Sequence, residues 1–199
     1  FDDDRVRDVL FARVSEVEVP SFNLVYVLVN MNDRRLIPQM LQLLEAPNRN
    51  HRRAIDVLGE LRAKEAVPRL LSLVVGKDKD DRRAASYALG KIGVSAAIPT
   101  LILALDNEPD DEALAAHCWA VGEFGELQSL VRLEQLQTHK SRRVTRAAKD
   151  AIAAIHLGAN LKRREAGDEA ALATAIEGLK SSDESIVISA IEYVRHHHE

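Results

Sequence analysis

Apolar residues recur along this chain at the spacing of amphipathic helices. One set occupies positions i, i+3, i+4 and i+7, which form a single face of an α-helix: Ala54, Val57, Leu58 and Leu61. An equivalent set follows 31 residues later: Ala85, Ala88, Leu89 and Ile92. Small side chains are frequent in both sets, and they let neighbouring helix axes approach closely. The pattern therefore predicts stacked helices that meet along these faces.

Glycines and prolines repeat with the same period. The glycine series has steps of 31 and 32 residues: Gly59, Gly90 and Gly122. The proline series has steps of 30 and 31 residues: Pro38, Pro68 and Pro99. A fixed period of about 20 to 50 residues is typical of a solenoid built from repeated units. Each unit contains two helical stretches, so we predict an array of helix pairs.

The glycines and prolines have predicted places in each pair. The glycine series lies inside first helices, where a missing side chain permits close contact at a cost of about 1 kcal/mol relative to Ala. Gly93 and Gly125 follow three residues after Gly90 and Gly122 and are predicted to be C′ caps in the left-handed conformation. The prolines are predicted in the first turn of the second helix, where a missing N–H loses no hydrogen bond.

We predict about a dozen helices in about six pairs. They cover 5–14, 20–31, 35–44, 48–61, 66–74, 80–92, 96–105, 113–124, 127–136, 141–155, 169–179 and a last stretch from 182 toward 194. Gly158 and Gly167 are predicted to interrupt the helical pattern near the end of the chain. We expect one all-α solenoid domain over 1–199, with the clearest repeats at 48–136 and divergent capping repeats at 1–47 and 137–199.

Three segments resemble a known repeat family. They lie at 53–61 with 66–68, at 81–93 (DRRAASYALGKIG) with 97–99 (AIP), and at 116–125. They are similar to the short HEAT-like repeat of the phycobilisome-lyase type. The resemblance implies a right-handed superhelix with first helices outside and second helices lining a concave groove. It also implies protein binding for most members, bilin attachment to light-harvesting proteins for a minority, and metal or DNA binding for some relatives.

Composition narrows the classes of function. A net charge of −4 is a poor match for non-specific nucleic-acid binding. Cys118 is the single cysteine, so no internal disulfide can form and we expect a cytoplasmic protein. No apolar run approaches the roughly 18–20 residues that a membrane span needs. The chain opens on Phe1 rather than Met, so we expect a segment of a longer protein.

The second helices supply the main candidate site. Residues one and four places after the proline position share one helix face. Eight of them form a mostly polar ladder: Gln39, Gln42, Arg69, Ser72, Thr100, Leu103, Arg132 and Gln135. This ladder is a candidate surface for gripping an extended or helical peptide. The alternative is the solvent side of ordinary amphipathic helices.

Aromatic residues occupy one repeated position of the first helices: Tyr26, Tyr87 and Trp119. One interpretation is an interface stripe. We favour packing over the next helix, because the position precedes a buried Ala-Leu pair. His117 and Cys118 point about 100° apart on a helix, so they form no joint site by themselves. We expect a packed, hydrogen-bonded His117 rather than a catalytic one.

A basic stretch at 138–165 has eight cations and two acids, a local charge of +6. The candidate basic patch within it consists of Arg142, Arg143, Arg146, Lys162, Arg163 and Arg164. Such a patch suits phosphate or an acidic protein surface. The alternative is a solvated face that the acidic loop at 106–112 balances. We expect a structural role for the arginines that begin first helices and tie adjacent repeats together: Arg52, Arg83 and Arg143.

We predict a non-enzymatic scaffold or adaptor that binds a protein or peptide partner on its concave face, without a cofactor or a metal. His196, His197 and His198 are interpreted as a tag remnant or a disordered end rather than a metal site. Two alternatives stay open. A bilin lyase or chromophore-handling protein rests on the resemblance alone, and nucleic-acid binding rests on the basic stretch.

Overall fold

The computed structural model describes residues 4–17, 20–45, 50–165, 176–180 and 183–196, and within these ranges it describes side chains except at 160–165, 184 and 192–196. Every regular element in the described ranges is a helix, which confirms the all-α class. Two compact units, Phe1–Thr100 and Leu101–Glu199, are described separately below as unit 1 and unit 2. The single domain over 1–199 stays a prediction.

The helices alternate between first and second members of pairs. Unit 1 contains α1 (Asp4–Ser15), α2 (Phe22–Asn30), α3 (Ile37–Glu45), α4 (His51–Glu60), α5 (Val67–Val74) and α6 (Lys79–Ile92). The next helix, α7 (Ile98–Asn107), begins in unit 1 and continues into unit 2. Unit 2 then contains α8 (Asp111–Phe124), α9 (Leu130–Leu136), α10 (Arg142–Glu165) and α11 (Glu184–His196).

Packing within each unit follows one rule. In unit 1, the first helices α2, α4 and α6 pack side by side, and each of the second helices α3 and α5 packs against the first helix that follows it. In unit 2, α8 and α9 both pack against α10 in the same way. The core is aliphatic, as the low aromatic content requires. Its fully buried side chains include Leu28, Met40, Leu58 and Leu89 in unit 1 and Leu101, Leu105 and Leu133 in unit 2.

Each second helix begins with a short 3₁₀ turn. These turns cover Arg34–Leu36, Lys64–Ala66, Ser95–Ala97 and Leu127–Ser129. Pro38, Pro68 and Pro99 are the second residues of the α-helices that follow, where an N–H would have no partner within the helix. The predicted place of the prolines is therefore confirmed. The sequence prediction does not separate these turns from the α-helices. The predicted helices begin at 35, 66, 96 and 127, inside each turn, because one 3₁₀ turn has nearly the same apolar spacing as an α-turn.

First helices end in a left-handed residue at a repeated position. Gly93 and Gly125 have φ of +70° and +66°, which confirms both predicted C′ caps. Asn32 and Arg62 occupy the equivalent position of earlier pairs, with φ of +52° and +49°. The cap geometry is thus a property of the repeat, and glycine is one of three residue types that adopt it here.

Close contact between first helices depends on glycine, as predicted. A Cβ atom added to Gly59 of α4 would lie 2.9 Å from Ala88 Cα of α6. A Cβ atom added to Gly122 of α8 would lie 2.9 Å from Ala151 Cα of α10. Carbon atoms of real side chains do not approach this closely, so these helices could not pack at their present distance with alanine at either position.

The prediction that Gly158 interrupts a helix is wrong. Helix α10 continues through Gly158 to Glu165, and a Cβ atom at Gly158 would meet no atom within 4 Å. Because its φ is not positive, Gly158 is an ordinary helical residue that costs some helix propensity and breaks nothing. Gly167 and most of the predicted helix at 169–179 lie outside the described residues. The last helix begins at Glu184 and is preceded by Asp183, whose Oδ1 accepts hydrogen bonds from the N–H and hydroxyl of Ser185.

Candidate binding surface on the second helices

In unit 1, the predicted ladder lies on α3, α5 and the start of α7. Gln42, Arg69 and Ser72 are exposed, and Thr100 is half-buried. Gln39 is also half-buried, and its side-chain amide donates hydrogen bonds to the backbone oxygens of Val17 (2.8 Å) and Val14 (3.3 Å). Gln39 therefore holds α3 to the end of α1, so its amide nitrogen is already occupied within the chain.

Arg69 forms a local polar cluster on α5. Its Nε lies 3.5 Å from Glu45 Oε2 at the end of α3, and its Nη1 donates to Ser72 Oγ at 3.4 Å. The hydroxyl of Ser72 donates to the Arg69 carbonyl at 2.7 Å. An exposed ion pair of this kind contributes less than about 1 kcal/mol to stability. Its main effect is to offset part of the Arg69 charge.

In unit 2, the ladder residues repeat the same arrangement. Arg132 of α9 is half-buried, with its Nε 3.1 Å from Asp106 Oδ1 on α7 and its Nη1 donating to Gln135 Oε1 at 3.2 Å. In both units, an arginine thus meets an acid at the end of the preceding second helix. Sequence reasoning missed both acids, although Glu45 and Asp106 precede their arginines by similar intervals of 24 and 26 residues.

Exposed aliphatic side chains accompany the ladder in unit 2. Leu103 of α7 was predicted as the apolar member of the ladder, and 57% of its surface is exposed. Val131 of α9 is 67% exposed and Leu127 in the preceding 3₁₀ turn is 57% exposed. Sequence reasoning missed these last two, although Val131 replaces the proline of the repeat with a residue that has no reason to face water.

The aromatic positions keep both of their interpretations. Tyr26 and Tyr87 of unit 1 are each partly exposed, and Trp119 of unit 2 is half-buried. The Tyr26 ring centroid lies 6.4 Å from that of Phe22. Partial burial and the nearby Asp56 carboxylate raise the pKa of Tyr26. These side chains combine packing with exposure, so an interface stripe stays a prediction.

His117 and Cys118 are both fully buried in α8. His117 Nε2 lies 3.1 Å from Glu108 Oε2, and Glu108 Oε1 accepts the N–H of Asp110 at 2.9 Å. The expectation of a packed, hydrogen-bonded His117 is therefore confirmed, with a partner that the sequence did not reveal. Burial raises the pKa of the Cys118 thiol to about 12. A neutral thiol with no access to solvent is not a nucleophile.

The basic patch is partly neutralised. Arg142, Arg143 and Arg146 are exposed at the start of α10. Arg143 Nη1 lies 2.9 Å from Glu112 Oε1 of α8, and Arg146 Nε lies 3.8 Å from Asp150 Oδ2 on its own helix. The side chains of the other three members lie outside those described: Lys162, Arg163 and Arg164. The patch stays a prediction.

Arginines at the start of first helices connect neighbouring repeats, as expected. Arg52 Nε lies 2.9 Å from Asp81 Oδ1, and its Nη2 lies 3.0 Å from Asp78 Oδ1, so α4 is tied to the start of α6. Arg143 ties α10 to α8 through Glu112 in unit 2. The structural role is confirmed for these two. No helix among the described residues has the length and apolar character needed to cross a membrane.

Comparison with known proteins gives one family. A model described as HEAT repeats matches residues 37–116 and, in a second overlapping copy, residues 76–153. The two matches together span more than half of the chain and include helices α3 to α9 and the first half of α10. No curated protein matches the chain.

Proposed function

Because the chain belongs to the HEAT-repeat family, we propose that it is a non-enzymatic scaffold that binds a protein or peptide through its second helices. Family membership also confirms the predicted HEAT-like solenoid class. The phycobilisome-lyase type of repeat stays a prediction. A cytoplasmic location is part of the proposal, and it rests on the single, reduced Cys118.

The observation that supports binding is the exposure of side chains with recognition chemistry on successive second helices. In unit 1 these are Gln42, Arg69 and Ser72, and in unit 2 they are Leu103, Gln135 and the partly exposed Arg132. Leu103, 57% exposed, adds an apolar group to this otherwise polar set. Arg69 and Arg132 each lie near a carboxylate, at 3.5 Å and 3.1 Å, and each donates to a polar side chain on its own helix.

Charge reversal tests this proposal. We expect the double variant Arg69→Glu and Arg132→Glu to retain a different set of proteins from a native lysate than the wild type does, as identified by mass spectrometry. Helical circular dichroism should stay unchanged, since each ion pair contributes less than about 1 kcal/mol. Arg13→Glu is the matched control, because Arg13 is an exposed arginine of α1 in a similarly weak pair with Glu16. Retention of the same proteins by the double variant would refute the assignment to the second helices.

Bilin attachment has no supporting observation among the described residues, and nucleic-acid binding has only the exposure of Arg142, Arg143 and Arg146. Bilin attachment rests on the resemblance of the repeat and is tested by a covalent absorbance change on mixing with bilin and an apoprotein acceptor. Nucleic-acid binding through Arg142, Arg143 and Arg163 is tested by a salt titration, because phosphate contacts weaken steeply with ionic strength.

A further inference from the structure

We propose that unit 2 binds a basic amphipathic segment of a partner protein on the surface formed by Leu103, Leu127, Val131 and Glu134, here named the α7–α9 face. The inference rests on the proposed scaffold function and adds the chemistry of the partner. Different residues of this face indicate the apolar contact and the positive charge of the partner.

The apolar part of the α7–α9 face consists of three exposed side chains on α7, on α9 and in the turn that leads into α9. Leu127 lies in the 3₁₀ turn before α9, and Val131 lies in the first turn of α9. Leu103 lies one turn before Asp106 on α7, and Asp106 Oδ1 is 3.1 Å from Arg132 Nε, next to Val131. All three aliphatic side chains are more than half exposed. Aliphatic groups gathered in this way on a surface favour contact with apolar groups of a partner.

Carboxylates outnumber cations on α7, α9 and the turn before α9. The stretches 98–107 and 126–136 contain three acids and one base, Arg132, a net charge of −2. Asp106 meets Arg132 at 3.1 Å. Glu134 is exposed one turn after Val131, Glu126 is half-buried beside Leu127, and neither forms an ion pair with a described residue. A partner that buries the aliphatic groups therefore brings its own polar atoms close to unpaired carboxylates, and lysine or arginine suits that position.

The basic stretch of a second copy would match this charge but not the apolar groups. The first two turns of α10 expose Arg142, Arg143, Arg146 and Lys149, and all four are cations. Contact with them would leave Leu103 and Val131 against charged groups, which gains little. A segment that alternates cations with apolar residues at helical spacing satisfies both parts of the face. The observations therefore favour a basic amphipathic helix over self-association.

Three fluorescent peptides of about 14 residues test the inference on the full chain by anisotropy. The first has Leu at i, i+3, i+4 and i+7 with Lys elsewhere, the second replaces Lys with Glu, and the third replaces Leu with Ser. We expect binding of the Leu/Lys peptide alone, weakened by raising salt from about 50 to about 300 mM. Leu103→Asp and Val131→Asp should each weaken it by about 10-fold or more. Glu134→Lys should weaken it by about threefold and reduce the salt effect.

Val9→Asp is the matched control, because Val9 is an aliphatic residue of α1 that is 70% exposed and lies in unit 1. It should change the affinity by less than about twofold. Equal affinity of Leu103→Asp, Val131→Asp and wild type would overturn the proposal, as would equal binding of the Ser/Lys peptide. A wild-type dimer that Leu103→Asp dissociates would identify a second copy as the occupant and would also overturn it.

Failure of this inference is distinct from failure of the scaffold function. If lysate proteins depend on Arg69 and Arg132 but the peptides ignore Leu103, the scaffold stands and its partner has other chemistry. If Arg69→Glu and Arg132→Glu change nothing while the Leu/Lys peptide depends on Leu103 and Val131, the binding surface is confined to the α7–α9 face.

Discussion

Arg62 adopts a backbone conformation that an arginine has no reason to prefer. Its φ is +49°, and the equivalent residues after the next two first helices are Gly93 and Gly125. The left-handed region costs a residue with a Cβ about 1–2 kcal/mol. Its N–H donates to the Gly59 carbonyl at 3.0 Å, and its exposed side chain makes no hydrogen bond or ion pair with a described residue. Arg62 therefore occupies a helix-cap position that glycine would adopt at a lower conformational cost.

We expect Arg62→Gly to raise the free energy of unfolding by up to about 1 kcal/mol, because relief of the φ strain exceeds the added entropy of the unfolded chain. Urea denaturation measures the change. Arg62→Ala separates the two causes, since it removes the side chain without relieving the backbone and should be nearly neutral. Gly93→Ala should lower stability by about 1 kcal/mol for the same reason in reverse. Equal effects of Arg62→Gly and Arg62→Ala would contradict the backbone explanation.

His117 shows which residue-scale features a sequence reveals. Its repeat equivalents are Ala54 and Ala85, so the pattern predicted an interior position and burial confirmed it. The partner, Glu108, lies nine residues earlier in the loop before α8. That interval matches no helical spacing, so only the path of the loop brings the two side chains together. Comparison of the repeats therefore predicts whether a residue is buried. It does not predict a contact that occurs in only one of the repeats.

At the scale of helices, the same residue type has two opposite roles. Gly59 and Gly122 lie against the backbone of a neighbouring helix, whereas Gly158 faces open space. The sequence predicted the first two through their period. It gave the wrong role to Gly158, because a helical glycine and a terminating glycine look alike without knowledge of the neighbours. The sequence does not reveal the four 3₁₀ turns for a related reason. Each turn is only three residues long, and over so short a stretch its apolar spacing cannot be distinguished from that of an α-helix.

One substitution made at three positions tests this distinction. We expect Gly59→Ala and Gly122→Ala each to lower the free energy of unfolding by about 1–3 kcal/mol, because overpacking outweighs the gain in helix propensity. Gly158→Ala is the matched control and should raise it by about 0.5–1 kcal/mol, since the added methyl meets nothing. Denaturant titration of the three variants gives the comparison. A stabilising Gly59→Ala would show that α4 and α6 can separate at no cost.

At the scale of the whole molecule, the fold was more predictable than the binding surface. Period, prolines and glycines all report on helix packing, and each recurs often enough to be read from one sequence. The surface depends on pairs such as Arg69 with Glu45 and Arg132 with Asp106, whose partners lie 24 and 26 residues apart. Neither interval equals the repeat period, because the acid lies at the end of one second helix and the arginine lies near the start of the next. The apolar pattern therefore does not predict which acid meets which arginine. The exposed Val131 and Leu127 were missed because exposure depends on what the fold leaves uncovered.

Repeat architecture also predicts how far the destabilising effect of a substitution extends along the chain. In an array where each repeat contacts its neighbours, stability is close to a sum of local contributions. We expect Gly59→Ala to accelerate amide hydrogen exchange in α4 and α6 of unit 1 by about 10-fold, and in α8 and α10 of unit 2 by less than about twofold. Gly122→Ala should give the reverse, because its contact with Ala151 lies within unit 2. Mass spectrometry of peptides from each helix measures both variants against the wild type. If either variant accelerated exchange equally in all four helices, the chain would unfold as one cooperative body, and local independence of the repeats would be refuted.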